Sequence, residues 1–405
     1  MELIELHILQ SFPVTCLNRD DVGAPKSAFF GGVQRARVSS QSWKRAIRAM
    51  ARELQPAVFA GTRTRYVIRD LKRRFANAGR SPQEAQELAE ATADALGKLD
   101  SVEKGTVKTL LYFSPMEMEN VVQAVLGAEF AEPLGRALEG ASVLQEATVA
   151  KDDKAADKAR KGREKARNEL VKICEKPAKE LRKAVKDAAD IAVFGRMVAD
   201  DHTLTIEGAG LFSHALSTHQ AANEVEFFSA VDDTPDVEEQ GAGAGHIGTL
   251  EFNSACYYRY VGLNLDLLRD GDHLTHLSEK EFRTVLDTVL RSALLAVPGA
   301  RKNSMFGFNP PASVLGLRRR GHPLSLVNAF EEPIKARGEG YIKPSIERLE
   351  SHLRALREAY ALPADVEERI PPKPKPPAGA EGKAPKADID ALVEALLGPS
   401  GRAEV

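Results

Sequence analysis

Cations and hydrogen-bonding side chains concentrate in a short stretch near residue 40 of the chain. Arg35 and Arg37 lie two residues apart in a predicted strand, so both side chains point to the same face. Ser39 or Ser40 can cap the helix predicted to follow, because a serine hydroxyl accepts a hydrogen bond from a free N–H group of the first turn. A helix N-terminus also offers N–H donors and partial positive charge to an anion. The stretch therefore predicts a phosphate-binding surface.

The predicted helix, residues 39–54, carries its own cations beside an apolar stripe. Trp43, Ile47, Met50 and Leu54 are spaced by four, three and four residues, as on a buried helix face. Basic side chains flank this stripe at Lys44, Arg45, Arg48 and Arg52. On this stretch alone, a solvated basic face that binds nothing is the alternative interpretation.

Two loops are expected to add cations to the same surface. Proline, glycine and an Asn-Arg-Asp-Asp run mark the first loop, which contains Arg19 and Lys26. The second loop contains Arg301 and Lys302 and precedes a predicted strand over 312–318. These side chains extend the predicted anion-binding surface beyond the helix start.

The sequence predicts neither a metal site nor a catalytic centre. Asp20 and Asp21 lack a partner triad and are expected to brace Arg19 instead. Histidines without the spacing of a zinc protease are His202, His214, His219 and His246. Cysteines without metal-like spacing are Cys16, Cys174 and Cys256, and their odd number argues against a disulfide framework. We therefore expect no cofactor and no metal.

The net charge of −2 conceals an uneven distribution. Residues 1–80 hold 15 Lys/Arg and 6 Asp/Glu, whereas residues 197–258 hold 11 Asp/Glu and no Lys or Arg. This asymmetry predicts a basic surface for a polyanion and an acidic surface used elsewhere, unless the two neutralise each other within one subunit. Without a basic-then-apolar leader or a membrane-length apolar run, we expect a cytoplasmic protein that contacts no membrane.

The elements that position these residues follow a β-α-β-β-α-β order. The predicted segments are strand 2–10, helix 39–54, strand 190–196, strand 249–268, helix 279–297 and strand 312–318. This is the order of an RRM or ferredoxin-like fold with two large insertions. From pattern alone, two unrelated α+β domains are the alternative.

Several motifs resemble the CasC family, which supplies the backbone subunit of Cascade, the type I-E CRISPR surveillance complex. The matching segments are residues 16–21, 30–32 and 35–46, which read CLNRDD, FGG and RARVSSQSWKRA. Later segments match in the same order, including residues 194–197, 218–220, 246–249, 308–310 and 328–331. The resemblance spans about residues 2–345 and is thin over 55–185.

The resemblance implies an α+β architecture described as a hand. The expected parts are an RRM/ferredoxin-like palm (1–60, 186–210 and 249–345), helical fingers (61–185), a β-hairpin thumb (211–248) and a C-terminal helix (346–370). Residues 371–405 are expected to form a flexible Pro/Lys linker and a short amphipathic helix that docks on its own subunit or on a neighbour.

The resemblance also implies which residues follow the RNA. Positions that match the family's RNA path are Arg19, Lys26, Ser40, Gln41, Lys44 and Met197. Charge and placement add Arg35, Arg37, Arg45, Arg48, Arg301 and Lys302. The thumb, which lacks Lys and Arg, is expected to wedge apolar groups into the RNA through Phe227, Phe228, Ser229 and Val231, with the choice between the two phenylalanines left open.

The function implied is that of a non-catalytic subunit that polymerises head-to-tail into a helical filament along a CRISPR guide RNA. It would present the guide for pairing with target DNA in antiviral defence. Expected partners are other copies of the chain and the large, small and guide-end-capping Cascade subunits. The alternative is an RRM-type endoribonuclease that cuts the guide precursor, for which His7 is the only histidine in the first 200 residues.

Overall fold

The computed structural model describes residues 1–101, 104–147, 153–178, 185–198, 204–230, 246–271, 273–301, 303–370 and 388–398. Lys302, Val231 and the predicted linker at 371–386 lie outside these residues. The chain forms two compact units. The first comprises Met1–Leu54, Ala209–Leu267 and Glu279–Val405, and the second comprises Gln55–Gly208 and Leu268–Ser278.

The structure is mixed α+β. Its strands are β1 (Glu2–Thr15), β2 (Ser27–Phe30), β3 (Val33–Val38), β4 (Thr62–Thr64), β5 (Leu99–Ser101), β6 (Thr106–Val107), β7 (Leu111–Phe113), β8 (Gly210–Phe212), β9 (Ala215–Ser217), β10 (Glu224–Ala230), β11 (His246–Asn264), β12 (Ser313–Arg320) and β13 (Val366–Ile370). Its α-helices are α1 (Ser40–Leu54), α2 (Ile68–Asn77), α3 (Pro82–Gly97), α4 (Pro115–Val125), α5 (Ala131–Ala147), α6 (Asp153–Glu175), α7 (Ala189–Phe194), α8 (Leu265–Leu268), α9 (Glu279–Leu295), α10 (Ile342–Tyr360) and α11 (Ile389–Leu397).

The first unit is built on a large antiparallel sheet. Its described strands run in the order β13-β12-β1-β11-β9-β3-β2, and β8 and β10 also pair with β11. The predicted strand 2–10 is the central part of β1, where His7 lies opposite Tyr260 on one side and Leu315 on the other. Residues 3–10 are all buried, because both faces of this strand are covered. The sequence indicated only the Ile/Leu face of the strand.

Helix α1 forms where the sequence predicts a helix, but its buried stripe is shorter than predicted. Trp43 and Ile47 are buried, and Ala51 is the third buried position. Met50 is half-buried and Leu54 is exposed. Helix α1 packs against α9, the helix predicted over 279–297.

The prediction of a strand over 190–196 is wrong. Residues 189–194 form the short helix α7, which ends at Gly195 with a φ of 78°. Every residue of α7 is buried. A short run that is buried on all sides has no periodicity that separates a helix from a strand.

The C-terminal segment contains one element that the sequence did not predict. Helix α10 ends at Tyr360, and β13 then pairs with β12 at the edge of the sheet. The terminal amphipathic helix is α11, and it packs on its own unit against α9, β12 and β13. Arg318 Nη1 donates to the carbonyl oxygens of Leu396 and Leu397 at 3.2 and 2.8 Å, which fixes the end of α11.

The second unit is mainly helical, with short β-pairings between β4 and β7 and between β5 and β6. Helix α3 begins with a capping box, in which the side chains of Ser81 and Glu84 each accept from the backbone N–H group of the other residue. A buried ion pair joins Arg196 Nη1 to Glu117 Oε1 at 2.9 Å. Across the described residues of both units, no helix has the length and apolar character needed to span a membrane.

Candidate nucleic-acid interface

The loop at residues 18–26 is hydrogen-bonded to β3 and to the start of α1. Ser39 N–H donates to Asn18 Oδ1 at 2.9 Å, and Lys26 N–H donates to Asn18 O at the same distance. Arg37 N–H in turn donates to Lys26 O at 2.9 Å. These bonds hold the loop cations beside the first turn of the helix, as the sequence predicted.

The predicted serine cap of α1 is confirmed at Ser39. Its Oγ accepts from Ser42 N–H at 3.3 Å, which satisfies one of the free donors of the first turn. The next donor, Ser40 N–H, is directed to His214 Nδ1 at 3.0 Å. Gln41 extends from the same turn and is exposed.

His214 is a member of this site that sequence reasoning did not predict. Partial burial lowers the pKa of His214, and the positive charges of Arg37 and Lys26 lower it further. A neutral ring is also what the bond to Ser40 N–H requires, because only an unprotonated Nδ1 can accept it. In the sequence, His214 stands out only as one of four histidines without the spacing of a zinc protease, which does not indicate a contact with the helix start.

Lys44 lies one turn further along the helix, over an aromatic ring. Its Nζ is 5.2 Å from the ring centroid of Phe212, a cation–π geometry. Phe212 ends β8 and His214 follows two residues later, so one chain segment flanks the helix start at two points. Arg45 is exposed, and Arg48 is half-buried.

Several of these cations have no carboxylate partner. We use the name basic surface for Arg19, Lys26, Arg37, Ser40, Gln41, Lys44 and Arg45. Among the described residues, no ion pair joins Arg19, Lys26, Arg37 or Arg45 to an acidic side chain. Asp20 does not brace Arg19 as predicted, because its Oδ1 accepts from the N–H groups of Val22 and Ala24 at 3.0 and 2.9 Å. The surface therefore offers uncompensated positive charge to an anion.

Arg35 is not available to a ligand, which corrects the prediction of an RNA contact. The residue is fully buried. Its guanidinium donates to the carbonyl oxygens of Phe30, Ser217, Phe330 and Glu331 at 2.8–3.1 Å. The N–H groups of the guanidinium are therefore bonded to backbone carbonyl oxygens, and the surrounding chain keeps a ligand from reaching them.

The other predicted RNA contacts are Arg301, Met197 and Lys302. Arg301 is half-buried, and its positive charge and that of Arg19 both lower the pKa of Cys16, which burial raises overall. The two guanidinium groups therefore lie near the same thiol at the end of β1. Met197 is exposed on the second unit, and Lys302 lies outside the described residues.

The predicted thumb contains the antiparallel pair of β10 and β11. Phe227 lies opposite Thr249 and Phe228 opposite Gly248. A Cβ atom on Gly248 would come within 2.5 Å of Phe228 Cζ, so the ring of Phe228 covers this glycine. Phe227 is 78% exposed and Phe228 is 38% exposed. Ser229 is exposed, and Val231 lies outside the described residues.

The fold and the basic surface define an α+β chain with a large antiparallel sheet and a cationic helix start. The model of the CT1975-like protein family matches residues 4–395, so this chain belongs to that family. A comparison with curated proteins gives no match.

Solved structures with the same fold come from CRISPR RNA-guided surveillance complexes. One chain, from such a complex in a pre-nicking state, is 26% identical with a TM-score of 0.68, and the match covers 96% of this chain and 95% of that one. A chain of another such complex is 22% identical with a TM-score of 0.53, covering 96% and 92%. The second match shows the fold alone.

Proposed function

We propose that this protein is a non-catalytic subunit that binds a CRISPR guide RNA and presents it for pairing with target DNA. The basic surface is the observation that carries the proposal. Cations without acidic partners attract the phosphates of an RNA of any sequence. Pairing between guide and target then supplies the sequence readout that such a surface lacks. The relatives from RNA-guided surveillance complexes support this assignment.

In finer detail, we propose a CasC-like backbone subunit of a type I-E Cascade in the cytoplasm. Helices α1 and α9 pack together after β1 and β11, an arrangement that supports an RRM-like palm. Asn223, just before β10, donates from Nδ2 to Pro25 O at 3.4 Å, so the hairpin begins beside the loop of the basic surface. Copies of the chain would bind one another and the large, small and guide-end-capping subunits.

The direct test removes one cation from the basic surface. Lys44→Ala should weaken binding to guides of all sequences alike, and the slope of log K against log salt should fall by roughly 0.7 for the lost phosphate contact. Lys343→Ala is the matched control, because it removes an exposed lysine from α10. Unchanged affinity and slope in Lys44→Ala would refute phosphate binding at this helix.

Head-to-tail assembly has its own test in the thumb. Deleting residues 222–246 and bridging the gap with a short Gly-Ser turn removes β10, the strand that pairs with the first residues of β11. We expect weak binding of single subunits to RNA to remain, and cooperative assembly on long guides to disappear. Sedimentation on guides of increasing length measures this, with circular dichroism to verify folding. Cooperative assembly of the deleted protein with unchanged spacing would exclude the hairpin as the contact between copies.

The alternative function is an endoribonuclease that cuts guide precursors. His7 does not support it, because the residue is fully buried and burial lowers its pKa to about 3. Exposed His214 beside Lys26 and Arg37 is the observation in its favour. Precursor RNA incubated with the protein, with or without Mg²⁺ or Mn²⁺, should remain intact. Defined cleavage that persists through repurification and disappears in His214→Ala would establish the alternative.

A further inference from the structure

Two exposed phenylalanines lie on the loop that follows α9, in the first unit. Phe306 is 74% exposed and Phe308 is 47% exposed. An exposed aromatic ring does not gain the free energy that its burial would provide. Because exposure of both rings does not stabilise the fold, we consider a role for them in binding.

The loop backbone is fixed although its rings are exposed. Thr15 Oγ1 donates to Met305 O at 3.2 Å, and Gln10 Nε2 donates to Asn309 O at 2.6 Å. Between the two rings, a Cβ atom on Gly307 would lie 3.0 Å from Thr15 Oγ1. Glycine therefore allows the loop to approach the end of β1 closely. Phe306 and Phe308 flank this glycine. Their side chains are exposed, although the backbone of the loop is hydrogen-bonded to β1.

The charges around this loop favour a polyanion. Arg301 precedes the rings by five residues, and Met305 N–H donates to Arg301 O at 2.9 Å, so the arginine belongs to the same turn. Met305 O accepts from Thr15 Oγ1 at the end of β1, and the loop that contains Arg19 begins three residues later at Asn18. The charges of Arg301 and Arg19 accordingly both lower the pKa of Cys16. Within the described chain, neither arginine pairs with a carboxylate, and Arg301 Nε has no hydrogen-bond partner.

We propose that Phe306 and Phe308 form a base-stacking platform for single-stranded RNA beside Arg301 and Arg19. Exposed aromatic rings next to backbone-binding cations are how proteins hold single strands without reading their sequence. The inference rests on the proposed function, because it assumes that RNA follows the basic surface. It adds a contact to the bases, where the other residues of that surface contact phosphates.

The test separates contacts to bases from contacts to phosphates. The probes are a short oligouridine RNA and the same strand with abasic ribose units in place of the bases. The double variant Phe306→Ala, Phe308→Ala should bind oligouridine about thirtyfold more weakly, the lower end of stacking losses for two bases. Its salt slope should equal that of the wild type, and both proteins should bind the abasic strand equally. Tyr360→Ala, which removes an exposed ring from the end of α10, is the matched control.

A second readout detects the stacking itself. The chain has one tryptophan, Trp43, which is buried, so Phe306→Trp adds an exposed reporter to a constant background. Its emission should be quenched by oligouridine and not by the abasic strand.

Three other outcomes would reject the platform, and each would have a different consequence for the proposed function. Equal oligouridine binding by the wild type and the double variant rejects the platform and leaves the proposed function intact. Loss of cooperative assembly alone would assign the rings to a neighbouring copy of the chain. A wild type that binds neither strand rejects the proposed function, and the platform with it.

Discussion

Arg35 and Arg37 point to the same face of β3, but the two guanidinium groups have opposite surroundings. Arg35 is buried under the 3₁₀ turn Val327–Phe330 and donates to Phe330 O at 2.8 Å. Arg37 is half-buried and donates from Nε to Ser27 O at 3.2 Å. Both residues are arginines on the same face of the strand. Arg35 belongs to the interior because a distant chain segment covers it, and Arg37 belongs to the basic surface because no distant segment of the described chain does.

The same contrast holds across the sheet. Arg259 is buried on β11, where its Nη1 donates to Ala293 O at 2.6 Å and its guanidinium lies 4.0 Å from the ring centroid of Trp43. Burial lowers the pKa of Arg259 to about 9. Its Nη2 donates to Gln10 Oε1 at 3.0 Å, so neutral oxygen atoms accept from both Nη groups. Interior cations stabilise the fold through fixed acceptors, whereas surface cations remain available to a ligand.

The largest effect expected from this comparison is on stability, at Arg35. Arg35→Gln leaves several buried carbonyl groups without a donor and should lower the free energy of unfolding by about 3–5 kcal/mol. Arg37→Gln should change it by no more than about 0.5 kcal/mol. Urea unfolding of both variants measures the difference. RNA binding should show the opposite order. Arg37→Gln should reduce the salt slope and Arg35→Gln should not, because of the two side chains only Arg37 can reach a phosphate.

The opposite pattern would break the comparison. A stable Arg35→Gln variant with a reduced salt slope would place this guanidinium at the ligand and show that the interior position is not maintained in solution.

The sequence predicted the elements whose patterns are local. Strand β1, helix α1 with its serine cap, α9 and α11 all follow from periodicity and capping residues within a short window. Alternation also placed Arg35 and Arg37 on one face correctly. These features depend on neighbours in the chain, so a single sequence contains them.

What the sequence could not predict depends on segments far apart in the chain. Arg35 is covered by the carbonyl of Glu331, almost 300 residues away, and no local pattern indicates this contact. Gly31 permits the approach, since a Cβ atom there would lie 1.7 Å from Glu331 O. For the same reason, the bond from Ser40 N–H to His214 and the pairing of β13 with β12 were not predicted.

The interior should also respond to pH, through His7. Burial lowers its pKa from 6.5 to about 3, and the charges of Arg319 and Arg369 act in the same direction. Between these two values the unfolded chain binds a proton that the folded chain does not. Stability is therefore complete above about pH 6.5 and declines as the pH falls, by about 3 kcal/mol at pH 4 from this residue.

A non-titrating variant isolates this contribution. His7→Asn keeps a polar group near the hydroxyl of Tyr258, which lies 3.0 Å from His7 Nδ1. Urea unfolding between pH 7 and 4 should show a smaller loss of stability for the variant than for the wild type. Equal losses would mean that His7 titrates normally and is not held in the interior.

The basic surface should show the converse behaviour, with binding affected and stability unchanged. Arg19→Gln combined with Lys26→Gln removes two cations that no described carboxylate neutralises. The salt slope for RNA should fall by roughly 1.4, while the urea midpoint stays within error of the wild type. Loss of stability without a change in slope would assign both side chains to the fold.

The smallest effect expected concerns neighbouring residues of β10, where the same contrast recurs between two rings. Phe228 covers Gly248, whereas Phe227 is largely exposed. Phe228→Ala should destabilise the hairpin by about 1 kcal/mol, because it removes a cross-strand contact. Phe227→Ala should leave stability unchanged and weaken cooperative assembly on long RNA by about fivefold, the low end of stacking losses. Hydrogen exchange of β10 amides and sedimentation on guides of increasing length measure the two effects separately. If Phe228→Ala impairs assembly while Phe227→Ala does not, the covered ring is the one that contacts RNA, and exposure does not identify the ligand-binding side of the hairpin.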